Sequence, residues 1–414
     1  MKLELGFGNG TQSAEVPDRN LKQILKLSDV PETEEEQVLI HRALEHPIGT
    51  ERLKDLCSRG EKIAIITSDL TRPMPSWKVL PALLDELNQA GVPDSDIVLV
   101  FALGSHRPMR EAEMQHVMGE TYGRIACVNS SECGFRNLGT TTRGTPVIIS
   151  EAVAEADRII CLGNVEYHYF AGYSGGAKAV MPGCSVREAI ACNHRFMTDP
   201  GAYAGHLDGN PVREDIEEAG RMAGIDFILN VVVSPKKRIL HASAGDPILA
   251  HRDACRFLDS IYQVPIRERA DIVLVSQGGS PKDLNLYQTQ KALANAGHAV
   301  KPGGIIILAG SCREGFGESH FEDWMRHKSP SLMVQEIHEH FILGGHKAAA
   351  IAQQVMKGEI DLVSEMDPAI VRETCLIPYA SVQEALDHAL NEKGPDASVI
   401  VMPYGGSTLP VLKG

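Results

Sequence analysis

The sequence predicts two α/β domains with mostly parallel sheets and an active-site cleft between them. Three observations carry this prediction. The chain has 414 residues, too many for one ordinary hydrophobic core. Short apolar runs rich in β-formers alternate with amphipathic helical stretches from about residue 60 onward, as buried parallel strands joined by helical crossovers do. A second alternating set begins after Pro265.

Taken in order, residues 62–68 (KIAIITS) read as a strand, 77–90 as a helix and 97–102 as a second strand. Further strands are expected at 125–128, 147–149, 158–162 and 227–233. In the second set, 271–276 and 304–309 read as central strands, and 398–402 as the last one. Helices are expected at 286–296, 347–357 and 382–392. The boundary falls near residues 262–268, giving domains 1–264 and 265–414. The first is expected to carry the chemistry and the second to contribute substrate-binding groups.

Composition excludes several classes. Hydrophobic residues make up 43 % and charged residues 23 %, the balance of a folded globular chain. The longest apolar stretches, 97–103 and 305–309, are strand-sized, so no membrane partner is expected. The N-terminus shows no apolar signal region. A net charge of −14 leaves no cation excess for a nucleic-acid partner, while a local cation cluster still suffices for a small anion. The nine cysteines are odd in number and form no CxxC pair. Free thiols in a reducing, cytoplasmic compartment are therefore expected.

Two glycine patterns need separating from nucleotide loops. Gly6-Phe7-Gly8-Asn9-Gly10-Thr11 lacks the third glycine and the preceding buried strand of a dinucleotide fingerprint, so a hairpin or loop turn is expected. Gly172-Tyr173-Ser174-Gly175-Gly176-Ala177-Lys178-Ala179 fails as a phosphate loop, because Ala177 and Ala179 replace the required Gly and Ser/Thr. It still brings bare backbone and one amine to a single place. This loop leaves the carboxyl end of the strand at 158–162, where open α/β sheets place ligands. Two more strand ends carry Ser68-Asp69-Leu70-Thr71-Arg72-Pro73 and Gly104-Ser105-His106-Arg107-Pro108, and the helix after the loop carries Asn193-His194-Arg195. Shared strand ends of this kind point to one site. By contrast, His338-Glu339-His340 is no HExxH metal motif and reads as a solvated helix face.

The segment His168-Tyr169-Phe170-Ala171-Gly172-Tyr173-Ser174-Gly175-Gly176-Ala177-Lys178 resembles the nickel-dependent lactate racemase family, and the resemblance extends over essentially the whole chain. It implies a racemase or epimerase acting at C2 of a small 2-hydroxy acid. It also implies nickel in a pincer nucleotide, pyridinium-3,5-bisthiocarboxylic acid mononucleotide, joined covalently to Lys178 and supplied by cofactor-maturation proteins. By the same resemblance His194 is the nickel ligand, and His106 and His168 are the paired general acid/bases. Asp69, Leu70, Thr71, Arg72, Ser174, Gly175 and Tyr287 are cofactor contacts; Arg72, Gln288 and Lys291 are substrate contacts. Lactate-specific members carry a second-domain tryptophan near the substrate. Here the corresponding region is Leu343-Gly344-Gly345-His346-Lys347-Ala348, with Trp324 well before it, so malate, phenyllactate, longer hydroxy acids and sugar acids stand beside lactate as substrates.

The chemistry of the residues agrees with these roles. Abstracting the C2 proton beside a carboxylate would create a dianion, whereas moving that hydrogen as hydride avoids it and needs an electrophilic cofactor. Two histidines can exchange the hydroxyl proton at either face, and Arg72 can clamp a carboxylate with two parallel hydrogen bonds. Two alternatives remain: a nicotinamide-dependent 2-hydroxy acid dehydrogenase, which needs a proper fingerprint, and a non-catalytic two-lobed carboxylate-binding protein, which leaves the histidines unexplained.

Overall fold

A computed structural model of the chain describes residues 1–26, 34–234 and 237–413. The chain divides into a central unit, Val30–Ser260, and a terminal unit built from Met1–Asp29 and Ile261–Gly414.

The sheet of the central unit has six strands, in the order Ala126–Asn129, Ile97–Ala102, Ile63–Ser68, Arg158–Asn164, Ile225–Val233 and Ile239–Gly245. Counted in chain order among themselves they lie 3-2-1-4-5-6, the doubly wound arrangement. All neighbours are parallel except the last pair. The strands expected in this unit are all present, shifted by at most two residues at either end. Ile63, Ile65, Leu99, Ile160 and Leu229 are fully or almost fully buried on one face, against the helix Ser76–Gln89. That helix turns Val79, Leu80, Leu83, Leu84 and Leu87 inward, the i, i+4, i+8 spacing that makes one apolar stripe. The expected strand at 147–149 is real, but it forms a separate hairpin, Phe135–Thr140 with Pro146–Ser150.

The sheet of the terminal unit is parallel throughout, in the order Ile377–Tyr379, Glu359–Val363, Val300–Ala309, Ala270–Ser276, Val399–Met402 and Leu21–Ile24. Its last strand corrects the sequence-based division, which placed residues 1–264 in one domain. Leu21–Ile24 is too short and too polar to announce itself, and its partner lies far away in sequence. Asn20 fixes the pairing by donating from Nδ2 to Pro395 O at 2.9 Å and to Ala397 O at 2.8 Å. The glycines at 6–10 do form a hairpin, with Phe7 opposite Gly10 and Gly8 at φ +54°. Its Leu5 and Ala14 enter the core of the terminal unit. His338, Glu339 and His340 are exposed at the end of the helix Pro330–Glu339, as expected of a solvated face. Among the described residues no helix is long and apolar enough to cross a membrane.

Candidate active site

The order of the central sheet reverses direction between Ile63–Ser68 and Arg158–Asn164, so the crossovers diverge there and leave a crevice at the carboxyl ends. A cleft open at its mouth occupies that place. Ser68, Asp69 and Arg72 line it from the first strand end, Ala102 to Gly104 and His106 from the second, and Leu162 to Asn164 from the fourth. His168, Ser174, Gly175, Gly176, Lys178 and His194 complete its wall.

His106 and Asp69 form a pair. His106 Nδ1 lies 2.6 Å from Asp69 Oδ2, while Thr71 donates to Asp69 Oδ1 from its amide at 3.0 Å and its hydroxyl at 2.6 Å. Burial by itself would raise the Asp69 pKa. The hydrogen bonds from His106 and Thr71 outweigh it and hold the carboxyl below its usual range. An ionised Asp69 can only accept, so Nδ1 of His106 carries the proton and Nε2 is the acceptor nitrogen.

The glycine-rich loop is held from several sides. Tyr167–His168 and Gly172–Tyr173 pair antiparallel, and both tyrosine hydroxyls donate to Asp259, at 2.9 and 2.7 Å. Arg213, fully buried, donates to the carbonyls of Ala171 and Tyr173. Gly176 donates its amide to Asn230 Oδ1 at 2.9 Å, and His251 donates from Nε2 to Ser174 O at 2.8 Å. Gly175 has φ +78°, and a Cβ there would meet Asn230 Oδ1 at 2.7 Å; only glycine fits this approach. Lys178 follows on the single turn Gly176–Ala179. Burial, then the Arg213 and Arg72 charges, push its pKa well below the ordinary lysine range. This favours the uncharged, nucleophilic form of the amine.

The other two histidines are also oriented. Ala171 donates its amide to His168 Nδ1 at 3.3 Å, so Nε2 of a neutral His168 carries the proton. Burial foremost, with the charges of Lys178, His194, Arg72 and Arg213, keeps His168 well below the usual imidazole pKa. His194 Nδ1 lies 2.9 Å from Asn193 Oδ1. The Asn193 amide nitrogen donates to Val212 O and Asp215 Oδ2, at 3.2 and 2.8 Å. Its oxygen is thus the atom facing His194 and requires the proton on Nδ1. Nε2 is left as the ring's acceptor nitrogen, the arrangement of a metal-ligating histidine.

One cleft therefore collects His106, His168, His194, Lys178, Arg72, Asp69, Ser174 and Gly175 from the sequence-predicted set. The hydroxyl of Ser174 is engaged locally, donating to Asn164 O at 2.7 Å. Leu70 and Thr71 are exposed on the same turn and do not line the cleft. Tyr287, Gln288 and Lys291 lie in the terminal unit, on the first turns of the helix Leu286–Ala296 capped by Asn285. Lys347 Nζ sits 3.8 Å over the Tyr287 ring and donates to Tyr287 O at 2.6 Å. The sequence spacing misleads at Trp324. Its buried indole packs on Gly345, where a Cβ would meet Trp324 Cε2 at 2.8 Å. The helices Ser319–His327 and Gly345–Val355 bring the tryptophan to the region that lacks one in sequence.

Sequence reasoning missed the groups that aim the site: Asn193 and Asp215 for His194, and Arg213, Asn230, His251 and Asp259 for the loop. Only Asn193 had a local signal, its position beside His194.

A doubly wound α/β unit whose switch-point cleft gathers a lysine, an arginine and three oriented histidines defines an enzyme for a small-molecule substrate. Residues 7–205 match the family model described as the lactate racemase N-terminal domain, and 266–409 match the lactate racemase C-terminal domain. The chain is 32 % identical to a lactate racemase of Thermoanaerobacterium thermosaccharolyticum over 98 % of both sequences. It is 31 % identical to one of Lactiplantibacillus plantarum, over 97 % of this chain and 98 % of that one. The solved apoprotein of the Thermoanaerobacterium lactate racemase superposes with a TM-score of 0.88 at 33 % identity, covering both chains fully. A Thermotoga maritima structure shares the fold, with a TM-score of 0.63 at 18 % identity over 94 % of this chain and 100 % of that one. The chain belongs to the lactate racemase family, and it is an isomerase of the racemase type.

Proposed function

We propose that this enzyme interconverts the enantiomers of lactate or a closely related 2-hydroxy acid such as malate, moving the C2 hydrogen as hydride with a nickel pincer nucleotide carried on Lys178. The observation that carries this reading is the meeting, in one cleft, of a lysine whose pKa is pushed well down, an imidazole presenting Nε2, and two further histidines held in opposite tautomers.

The residues fit such a group. Lys178 would form the covalent bond, His194 Nε2 would complete the nickel coordination, and Gly175 and Gly176 line the cleft with both. When bound, the group supplies an electrophile able to take a hydride and give it back. Arg72 holds the substrate carboxylate through its planar fork. His106, presenting a lone pair at Nε2 and backed by Asp69, takes the hydroxyl proton of one enantiomer. His168, after taking up a proton from solvent, returns one to the oxygen as the opposite enantiomer forms, and His106 releases the proton it gained to solvent, so both rings end the turnover neutral. The reverse reaction runs with the two roles exchanged. Gln288, Lys291 and Tyr287 are proposed to contact substrate and cofactor from the terminal unit. The nine cysteines are free thiols, in keeping with a reducing cytoplasm.

Co-expression with the maturation proteins followed by intact-mass measurement tests this proposal. The wild-type chain is expected to gain the mass of the modified nucleotide and nickel, mapped to Lys178, and to racemise lactate. Lys178→Ala is expected to fold but to carry no adduct and no activity; an active Lys178→Ala protein contradicts the assignment.

A further inference from the structure

Behind His194 stands a fully buried carboxylate. Asp215, on the helix Pro211–Ala223, is 0 % exposed, and so is Asn193, the residue that faces the His194 ring. Two other elements hold that carboxylate. The helix Arg187–His194 offers Asn193, whose Nδ2 donates to Asp215 Oδ2 at 2.8 Å. The turn of the hairpin Phe135–Thr140 and Pro146–Ser150 offers two hydroxyls, Thr141 at 2.5 Å from Oδ1 and Thr145 at 2.7 Å from Oδ2. The Thr141 oxygen accepts the Thr145 amide at 3.0 Å, so its own proton points to Asp215.

Two observations set this cluster apart from an ordinary polar core. The first is charge. Both Asp215 oxygens accept, and among the described residues their partners are these neutral donors, with no cation beside them. Burying a carboxylate in that way costs free energy unless something compensates. The second is direction. The Asn193 amide is used at both ends, its nitrogen on Asp215 and its oxygen on His194 Nδ1, so the carboxylate polarises the ring from one amide away.

We infer that Asp215 is a positioning residue for the nickel ligand, acting through Asn193 in a carboxylate–amide–imidazole relay. The inference rests on the reading of His194 as that ligand. The relay fixes the ring proton on Nδ1 and makes Nε2 a stronger donor to a cation, as hydrogen-bonded partners behind a metal-bound histidine do. A cation at Nε2 would also be the positive partner that Asp215 lacks. The hairpin turn braces the relay. Thr142 donates its amide and its hydroxyl to Glu218, both at 2.7 Å, and Arg143 pairs with Glu214. The turn is thus fastened to the helix Pro211–Ala223 on either side of Asp215.

Two measurements test the relay. In the apo chain, nitrogen NMR of labelled histidine reads the His194 tautomer, its signals assigned by their loss in His194→Ala. The wild type is expected to carry the proton on Nδ1, and Asn193→Leu to shift it largely to Nε2. In enzyme loaded by co-expression with the maturation proteins, elemental mass spectrometry follows nickel release during dialysis against EDTA. Asp215→Asn keeps the shape and the Asn193 contact but removes the charge, and it should release nickel about tenfold faster than the wild type. Thr145→Val takes one hydroxyl from the same carboxylate and is expected to lower the melting temperature without changing nickel release. Equal release from Asp215→Asn and wild type overturns the inference. So does equal acceleration by Thr145→Val, or a wild-type apo chain with the His194 proton on Nε2. Nickel missing from a wild-type chain that keeps the Nδ1 proton would instead overturn the reading of His194 as the nickel ligand, and the inference would fall with it.

Discussion

The residues that meet in the cleft were legible one by one, most because they sit on strand-end segments of unusual composition and His194 because it sits on the helix after the glycine-rich loop. His106, His168, Lys178 and His194 are all found in the one cleft. The groups that hold them in place were not legible, since Asp215, Asn230, His251 and Asp259 approach from distant elements through tertiary contact alone. Asp69 was legible as a position, but its work as the partner of His106 emerged only from the 2.6 Å contact. If Asp69 acts through His106, Asp69→Ala should lower kcat/KM about 10–100-fold, equally from both enantiomers, as a racemisation equilibrium demands. The double variant with His106→Ala should then be no worse than His106→Ala alone. Multiplying losses in steady-state assays would assign Asp69 an independent role.

Among the elements, the apolar runs of the two sheets declared themselves through continuous Ile, Val and Leu, as strands buried on both faces do. Leu21–Ile24 did not, because an edge strand four residues long needs little hydrophobicity and borrows its register from Val399–Met402. The neighbouring strands are tied by a polar clasp. Asp271 accepts from the Ser398 amide and hydroxyl, at 2.9 and 2.6 Å, and from Lys301 Nζ at 2.9 Å. Burial opposes its ionisation, but these donors prevail and hold its pKa at about 2. With a folded pKa below the unfolded one, its stabilisation is present above about pH 4 and fades as pH falls toward 2. Asp271→Asn should cost about 1 kcal/mol at pH 7 after allowance for solvent screening, and almost nothing near pH 2. Urea unfolding at the two pH values measures it, and an equal loss at both would place the effect in packing.

At the scale of the whole molecule, the sequence was read as two consecutive domains, whereas the chain starts in the terminal unit, builds the central one and returns. The boundary near residue 262 was visible as a change of pattern after a helix. The return of the first residues was not, because no periodicity encodes a partner some 375 residues away. The central claim is that this enzyme inverts C2 by hydride transfer. The most direct measurement uses enzyme loaded by co-expression with the maturation proteins, acting on lactate deuterated at C2 in ordinary water. The expected result is slowed racemisation, with the deuterium largely retained at C2 of the opposite enantiomer, because hydride does not exchange with solvent. Complete loss of deuterium to water at the rate of racemisation would mean proton abstraction at carbon, and would contradict the account.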